Sequence, residues 1–409
     1  MFKKLGPGLL FAAAAVGVSH LVQSTRAGAE FGLTMAVLII VVCLVKYPAF
    51  RFGAEYAAVA NESLIAAYAR QGRWLLGFFF VAIAVEGLTV IPAVSLVAAG
   101  MTMNFTGLET NEIAFTMGTI IVCSFALALG RYRLLERATK VLVALFAVLS
   151  VTAALAAVTT LTNGQPLAAP IPVSEQNLFF AVAVAGWMPV GMGGAIFLSS
   201  WVLAKSDALG RRVERTEAVF DFNLGYVTTV GIALCFLFMG SVLLFGSGTE
   251  LSVNSVGFAA QLVGLFTQAV GGWIRPVIGL AALTVMFSTV LTVIDGFARV
   301  YSDVTGRFFP GRTMAVTRGE LYVAYMVVQG LVALALLVFF LQRFGAFIDF
   351  VTTVGFVVAP VIAFLNHRIM FHGELAQSAR PSRWLRYWSI SGVTILTLVS
   401  LTYLFFAWS

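Results

Sequence analysis

Eleven long apolar stretches constrain the fold of this chain more than any other feature of its sequence. Each is long enough to cross the hydrocarbon core of a bilayer as a helix, which takes about 20 residues. Backbone N–H and C=O groups have no water to pair with in lipid, so such stretches must close their hydrogen bonds within helices. The sequence therefore predicts an all-α integral membrane protein. The predicted spans lie near residues 6–28, 33–60, 75–101, 113–130, 137–162, 177–204, 219–246, 272–300, 319–341, 345–367 and 384–407.

The charged residues follow the same topology. Hydrophobic residues make up 60% of the 409 positions and charged residues 11%, whereas a soluble domain carries about 25% charged residues. With the N-terminus inside, every Lys and Arg falls on an inner segment except Arg26, Arg275 and Arg343. This positive-inside distribution predicts a multi-pass protein of the cell inner (plasma) membrane, with a cytoplasmic N-terminus and an outer C-terminus. The net charge of +7 thus reports topology and gives no sign of nucleic-acid binding.

No soluble domain interrupts the spans. The three cysteines fall within spans and indicate no disulfide framework, and the first apolar stretch lacks the cleavage pattern of a signal peptide. We find no nucleophile–base set and no cofactor motif, so we expect neither an enzyme nor a resident cofactor. We expect one monomeric transmembrane transport domain over 1–409, with a first repeat at 1–162, a second at 177–367 and an extra helix at 384–407.

Two of the apolar stretches, in corresponding places of the two halves, contain a break. The first stretch is interrupted at 17–20 and the sixth at 188–194, where the sequence reads Met-Pro-Val-Gly-Met-Gly-Gly. With a rise of 1.5 Å per residue, each break lies roughly 15 Å from either membrane face. Paired breaks of this kind mark the substrate site of inverted-repeat transporters. The predicted substrate-binding residues are Gly17, Val18, Ser19, His20, Met188, Pro189, Val190 and Gly191.

The residues around these breaks resemble the Nramp (natural resistance-associated macrophage protein) superfamily. This resemblance implies a LeuT-type fold, in which two inverted repeats of five helices are followed here by an eleventh helix. It also implies that helices one and six are broken and that transport proceeds by alternating access. The matching segments are Gly6-Pro7-Gly8-Leu9-Leu10, Ala27-Gly28-Ala29-Glu30-Phe31-Gly32, Asn61-Glu62-Ser63-Leu64, Gly72-Arg73-Trp74 and Met188-Pro189.

The departures from the family pattern concern its metal site. Nramp metal transporters carry Asp-Pro-Gly-Asn at the first break, where the Asp and Asn side chains bind a divalent metal. Met188 keeps the family's methionine, but the histidine of the Met-Pro-His signature is replaced by Val190. Glu86 keeps one acid of the third helix, while Ile83 stands where the family often has a second. At the first break the four family residues are replaced, in order, by Gly17, Val18, Ser19 and His20.

The altered break suits an anion. The second halves of helices one and six begin inside the membrane, where their unpaired N–H groups and positive dipole ends converge. An Asp neutralises that potential in the metal transporters, whereas Gly17 leaves the donors free. Ser19 and His20 add donors, and glycines 191, 193 and 194 allow a ligand to approach the backbone. We therefore predict a small anion as substrate, with bicarbonate first and no metal bound.

Buried acids complete the list of candidates. Glu86 lies within the third span, where an ionisable residue is costly and marks function by default; we expect it to relay a proton or sodium ion, or to form an ion pair. Asp221, Asp295 and Asp349 are expected to pair with basic residues near the membrane ends. Arg26 lies just above the first break, where it raises the local anion concentration, caps a helix or binds a lipid headgroup.

Two other functions remain open at this point. A divalent metal transporter for Mn²⁺, Fe²⁺ or Mg²⁺ with a rewired site is favoured by the family resemblance and by Met188. A receptor or scaffold that no longer transports is compatible with the lost metal ligands. The retained breaks argue against that second alternative, because unused breaks are costly in lipid.

Overall fold

The structure is a computed structural model that describes residues 5–108, 111–162, 165–172, 174–249, 251–252, 254–309, 318–340 and 344–408. Predicted features that lie outside these residues include the N-terminal lysines 3 and 4, part of the inner connection 302–318, and Arg343. The α-helices are α1 (Pro7–Ala15), α2 (Thr25–Phe31), α3 (Met35–Ala60), α4 (Leu64–Gln71), α5 (Arg73–Thr106), α6 (Glu112–Ala157), α7 (Glu175–Trp187), α8 (Gly193–Leu209), α9 (Arg215–Leu243), α10 (Ser255–Val270), α11 (Arg275–Phe308), α12 (Arg318–Phe340), α13 (Phe344–His372) and α14 (Arg383–Trp408).

The predicted spans fall on these helices. Within the described residues, nine helical segments are long and apolar enough to cross a membrane, and the bent pair of α1 with Ser19–Phe31 adds a tenth. The predicted sixth span falls on α7 and α8, which flank Met188–Met192. The protein is therefore a multi-pass membrane protein. No predicted span covers α10, a shorter apolar helix of 16 residues between α9 and α11.

Spans four and five differ from the prediction. The structure assigns α6 as one helical element of 46 residues, where the sequence predicted two helices joined by a basic connection. The predicted spans persist within it, because Glu112–Leu129 and Thr139–Thr160 are each apolar enough to cross a membrane. The connecting residues 130–138 contain no proline and are mostly strong helix formers, so the helical backbone continues through them.

Both predicted breaks are present. The first span bends by 51° between α1 and the helical segment Ser19–Phe31, which begins with a π-helix at Ser19–Ser24. The second span is interrupted at Met188–Met192, where the Met188–Pro189 peptide bond is cis and a turn closes from the Gly194 N–H to the Gly191 carbonyl. The chain is thus non-helical at two places buried inside the bundle, as a membrane protein requires.

Close backbone contacts attach both halves of the broken first span to α9. A Cβ atom added at Gly8 would lie 1.9 Å from the carbonyl oxygen of Asp221, and one at Gly225 would lie 2.0 Å from that of Gly8. Gly28 and Gly240 repeat this arrangement at the other end of the crossing. Small residues permit such helix contacts in membranes, so α9 packs along the whole broken span.

Asp221 has backbone partners that the sequence did not predict. Its carboxylate accepts hydrogen bonds from the N–H groups of Gly6, at 3.1 Å, and Gly8, at 2.9 Å. These are orphan donors at the start of α1, where a negative charge also meets the positive end of the helix dipole. The carboxylate therefore caps α1 directly, and a basic residue acts on it as predicted, because Lys205 interacts with it electrostatically.

Candidate functional site

A small buried cavity lies between the two breaks and has a volume of about 30 Å³. This is room for one or two water molecules. Among its described lining residues, the polar side chains belong to Ser19, Glu86 and Trp187, and the indole N–H of Trp187 has no hydrogen-bond partner there. The other lining residues are Ala14, Ala15, Val18, Val90, Val94, Val190, Gly191, Gly194, Phe197, Val293 and Phe297. The site in this conformation is thus narrow and mostly apolar.

Glu86 occupies the start of α8. Both carboxylate oxygens lie 3.2 Å from the backbone nitrogen of Gly193, which donates to them. A Cβ atom at Gly191 would lie only 2.1 Å from Oε1 of Glu86, so the glycine is needed for this approach. The sequence predicts that the N–H groups at the start of α8 are free for a substrate. For Gly193 that expectation is wrong, because the chain supplies its own carboxylate to the positive end of the half-helix.

Lys46 occupies the end of α7. Its Nζ donates to the carbonyl oxygens of Ala185 and Gly186, at 2.7 Å each, and the side chain is fully buried. Lys46 and Glu86 therefore bracket the second break, an ammonium at the negative end of α7 and a carboxylate at the positive end of α8. The two groups act on each other electrostatically.

The positive-inside distribution predicts an inner-surface position for Lys46, and this prediction is wrong. Lys46 lies about midway along α3 and is buried. The positive-inside distribution does not reveal this position, because it assigns a lysine in the middle of a long span and a lysine at the end of that span to the same side. Its position within the predicted span 33–60 was the signal available, since ionisable residues inside spans are functional candidates.

At the first break, α11 covers the end of α1. The Thr289 hydroxyl lies 2.8 Å from the carbonyl oxygen of Ala13 and 3.0 Å from that of Val16, two groups freed where α1 ends. A Cβ atom at Gly17 would lie 2.7 Å from Cγ2 of Thr289. Gly17 is therefore held by packing, whereas Val18 lines the cavity.

Ser19 and His20 form one hydrogen-bonded chain. The Ser19 hydroxyl lies 2.8 Å from both the Ala15 carbonyl oxygen and Nδ1 of His20. Nε2 of His20 lies 2.9 Å from the carbonyl oxygen of Thr229. A carbonyl only accepts, so Nε2 carries a hydrogen. Ser19 lines the cavity and the buried His20 ring lies behind it, so a direct contact of His20 with a substrate stays a prediction.

The remaining predicted residues belong to the second break. Val190 and Gly191 line the cavity. Met188 is fully buried in the hydrophobic core, and neither its sulfur nor Pro189 belongs to the cavity lining. The structure thus brings together Val18, Ser19, Glu86, Val190 and Gly191 around one space.

We expect His20→Ala to act through Ser19. The substitution removes a buried hydrogen bond to the Thr229 carbonyl and leaves a cavity in place of the ring, which together cost about 1–3 kcal/mol, and it removes the group that orients the Ser19 hydroxyl. Both the midpoint of thermal unfolding in detergent and the transport rate in vesicles should fall. Ser19→Ala is the matched variant, in which transport should fall with a smaller loss of thermal stability than in His20→Ala, because it removes a single oxygen and keeps the contact between His20 and Thr229. A His20→Ala protein with wild-type values in both measurements would exclude this role.

Comparison with known proteins places these observations in a family. No family model matches the chain. The chain is 32% identical over 415 residues to the uncharacterized protein PM0681 of Pasteurella multocida. The alignment covers 99% of this chain and 92% of that protein. It belongs to the same family as that protein.

Solved structures establish the fold. A manganese transporter of Eremococcus coleocola, which is Nramp-like, matches with a TM-score of 0.73 and 15% identity, over 98% of this chain and 86% of that chain. The chain has an Nramp-type fold. MhsT in complex with L-phenylalanine matches with a TM-score of 0.65 and 16% identity, over 98% of both chains. The Nramp-type fold is a LeuT-type fold, with inverted repeats and broken helices one and six.

On the predicted outer side, an ion pair joins α2 and α13. Arg26 of α2 donates to both carboxylate oxygens of Asp349 in α13, at 2.7 and 3.2 Å, and its guanidinium lies 5.0 Å from the ring centroid of Phe180. Gln23 also donates to Asp349, at 3.0 Å. The predicted ion pair of Asp349 is confirmed. A larger cavity of about 690 Å³, lined by Arg26, Glu30 and Asp349 among others, lies on this side.

On the predicted inner side, two aromatic rings line the central cavity, and a second cavity lies further along the same helices, α8 and α11. Phe197 and Phe297 both line the central cavity, with ring centroids 4.8 Å apart in an edge-to-face arrangement. Asp295 pairs with Arg299 at 2.7 Å, as predicted. The inner cavity of about 620 Å³ is lined by charged and polar residues that include Glu62 and Asp303.

Glu62 keeps its charge in that inner cavity. Burial by itself raises the pKa of Glu62, but hydrogen bonds from Arg70 and Tyr56 outweigh burial, and the net pKa lies below its usual range. The Nramp-like segment around Glu62 therefore presents a carboxylate, paired with Arg70, to the inner cavity.

Proposed function

We propose that this protein is a secondary transporter that carries a small monovalent anion, in the first instance bicarbonate, through the cavity between its two broken helices. The contact between Glu86 and the Gly193 N–H supports this proposal. A carboxylate already lies at the start of α8, where a helix N-terminus favours negative charge. Bicarbonate has the same planar O–C–O group, so the substrate can take the place that Glu86 holds in this conformation.

Substrate and Glu86 compete for one donor. Two anions beside the Gly193 N–H would repel each other, by about 4 kcal/mol at 4 Å in surroundings of intermediate polarity. The substrate therefore binds when Glu86 is protonated or has moved aside. When the substrate leaves, the carboxylate returns to Gly193 and the empty half-helix end keeps a partner.

The charges that face Glu86 fit an anion better than a divalent cation. Lys46 on α3 contributes an ammonium that interacts electrostatically with Glu86, and the nearby Tyr301 hydroxyl donates to the Ile83 carbonyl and adds no charge. Glu86 and Lys46 together carry no net charge. A bound monovalent anion next to Lys46 and the start of α8 is compensated, whereas a divalent cation would meet one carboxylate that Lys46 already balances.

Divalent metal transport remains the second candidate, because a transporter of similar fold is named as a manganese transporter. The donor set gives it less support. Among the described residues, no group of three or more His, Cys, Asp and Glu side chains lies close enough together to hold a metal ion. Mn²⁺ and Mg²⁺ favour several oxygen ligands, and the cavity offers one carboxylate and one hydroxyl side chain besides the indole of Trp187.

Alternating access supplies the transport step in this proposal. Arg26 and Asp349 close the outer side, and Phe197 and Phe297 close the inner side. The two repeats, 1–162 and 177–367, together enclose the cavity, and groups of helices drawn from both repeats move against each other around it, with the N-terminus cytoplasmic and the C-terminus outside. The chain works as a monomer in the plasma membrane in this proposal.

The test follows internal pH in dye-loaded proteoliposomes after an inward bicarbonate gradient is imposed. Valinomycin and potassium hold the membrane potential constant. Passive entry of CO₂ acidifies the lumen, whereas carried bicarbonate consumes protons there and alkalinises it. We expect alkalinisation that depends on the protein and that nitrate, another small planar oxyanion, inhibits.

Other outcomes redirect the proposal. Equal acidification with and without protein, under imposed sodium and proton gradients as well, would contradict bicarbonate transport. Uptake of Mn²⁺ by the same vesicles, reported by a metal-sensitive dye, would favour the metal transporter instead.

A further inference from the structure

We infer that the end of α7 is a binding site for a monovalent cation and that Lys46 occupies it as a built-in primary ammonium. Two carbonyl oxygens, of Ala185 and Gly186, point at one Nζ atom at equal distances of 2.7 Å. Lys46 forms no salt bridge with an acidic side chain among the described residues. The direct contacts of the cation shown here are thus with backbone carbonyls, and Glu86 acts on it electrostatically.

Burial makes this arrangement a site rather than a chance contact. The Lys46 side chain is fully buried, among the largest side chains with that property. A charged group inside the membrane is costly unless it is paired, and half-helix C-terminal carbonyls are the groups that hold coupling cations in transporters with broken helices. Here the carbonyls already have a cation that cannot dissociate.

The consequence for transport rests on the proposed function. A soluble Na⁺ ion would have to compete with a tethered ammonium for the Ala185 and Gly186 carbonyls. Transport by the wild-type protein should therefore be unchanged when Na⁺ is replaced by N-methylglucamine. Because Lys46 is part of the chain, its positive charge stays near Glu86 throughout the transport cycle. This permanent positive charge favours an anion as the substrate.

Lys46→Ala turns the site into one that an added cation can fill. The substitution removes the side chain beyond Cβ and leaves space for a short primary ammonium. We expect the midpoint of thermal unfolding of the detergent-purified variant to fall by several degrees. n-Propylammonium should restore about half of the loss or more, because a ligand that binds only the folded state stabilises it.

Two controls define what is recognised. Tetramethylammonium carries the same charge but no N–H donor, and should restore nothing. Ile39→Ala creates a cavity at another fully buried position of α3 without freed carbonyls, and n-propylammonium should leave its midpoint unchanged. Equal recovery with tetramethylammonium, or in Ile39→Ala, or no recovery of a folded Lys46→Ala protein, would overturn the inference.

The melting experiment does not depend on transport. If no anion is carried by the wild type, the proposed function fails while the cation site is still decided by the melting data. If transport occurs, n-propylammonium should also restore the flux of Lys46→Ala vesicles. If Lys46→Ala does not fold, Lys46→Met keeps the volume without the donors, and a wild-type unfolding midpoint for that variant would overturn the site.

Discussion

Glu86→Gln should tighten anion binding at least about tenfold and remove its dependence on pH. In the wild type, the carboxylate competes with the substrate for the Gly193 N–H, and protonation of Glu86 ends that competition. Anion affinity of the wild type should therefore rise as the pH falls. Glutamine has the shape of the protonated acid at every pH, so the variant should bind as the wild type does when protonated. A tenfold change corresponds to about 1.4 kcal/mol, well below the repulsion between two unscreened charges.

The measurement is the concentration of nitrate that half-inhibits bicarbonate flux or half-stabilises the protein against heat, at about pH 6 and about pH 8. Nitrate keeps one negative charge at both values, so its own protonation does not enter. Glu374→Gln is the matched control. It neutralises a carboxylate that pairs with Arg70 and is 75% exposed, whereas Glu86 is buried. Weaker nitrate binding by Glu86→Gln would contradict competition and would favour a role of Glu86 in holding a cation.

Breaking the pair between Arg26 and Asp349 should leave the outer side open and reduce transport about tenfold or more. Asp349→Asn keeps the shape of the side chain but removes the charge that the guanidinium contacts at 2.7 Å. Both side chains are partly exposed, so the pair is worth less than a fully buried one. A loss of about 1.4 kcal/mol from the closed state is still a tenfold shift of the opening equilibrium. Glu30, 3.9 Å from Arg26, lies further away and replaces the contact only in part.

Opening is read out by a cysteine at position 352. Thr352 is fully buried and lies within hydrogen-bond distance of Gln23, beneath the pair. Thr352→Cys, in a background without the native cysteines, should react slowly with a membrane-impermeant thiol reagent. Addition of Asp349→Asn should raise that rate about tenfold, and exchange of the two charges, Arg26→Asp with Asp349→Arg, should lower it again. An unchanged rate would show that the pair does not close the outer side.

The sequence predicted those parts of the fold that depend on local pattern. Span length identified the membrane helices, and glycine and proline identified both breaks. The sequence did not predict α10, because its 16 residues are shorter than a span. It predicted two helices where α6 is one element, because basic residues and one glycine in a helical connection resemble a loop.

The site was predicted less completely, for a physical reason. The breaks identified Ser19 and Gly191 as lining residues. The contacts that place the charged side chains of Glu86 and Lys46 at the second break, however, join distant parts of the chain. Glu86 and Gly193 are 107 positions apart, and Lys46 and Ala185 are 139 apart. Residue spacing within a short stretch of sequence cannot predict contacts between residues so far apart. His20 was predicted as a ligand because it is a polar residue at a break, and only the position of Thr229 on α9 gives its ring another partner.

The glycine contacts along α9 determine which parts of the molecule travel together. Because Gly8 and Gly28 each place backbone against α9, one on either side of the bend, neither half of the first span can slide past α9 without a clash. We therefore expect the two halves of the first span and α9 to move as one rigid body during transport. Spin labels on α9 and on α1 should keep a constant separation throughout the cycle, while the separation of either label from α13 changes between the outward-open and inward-open states.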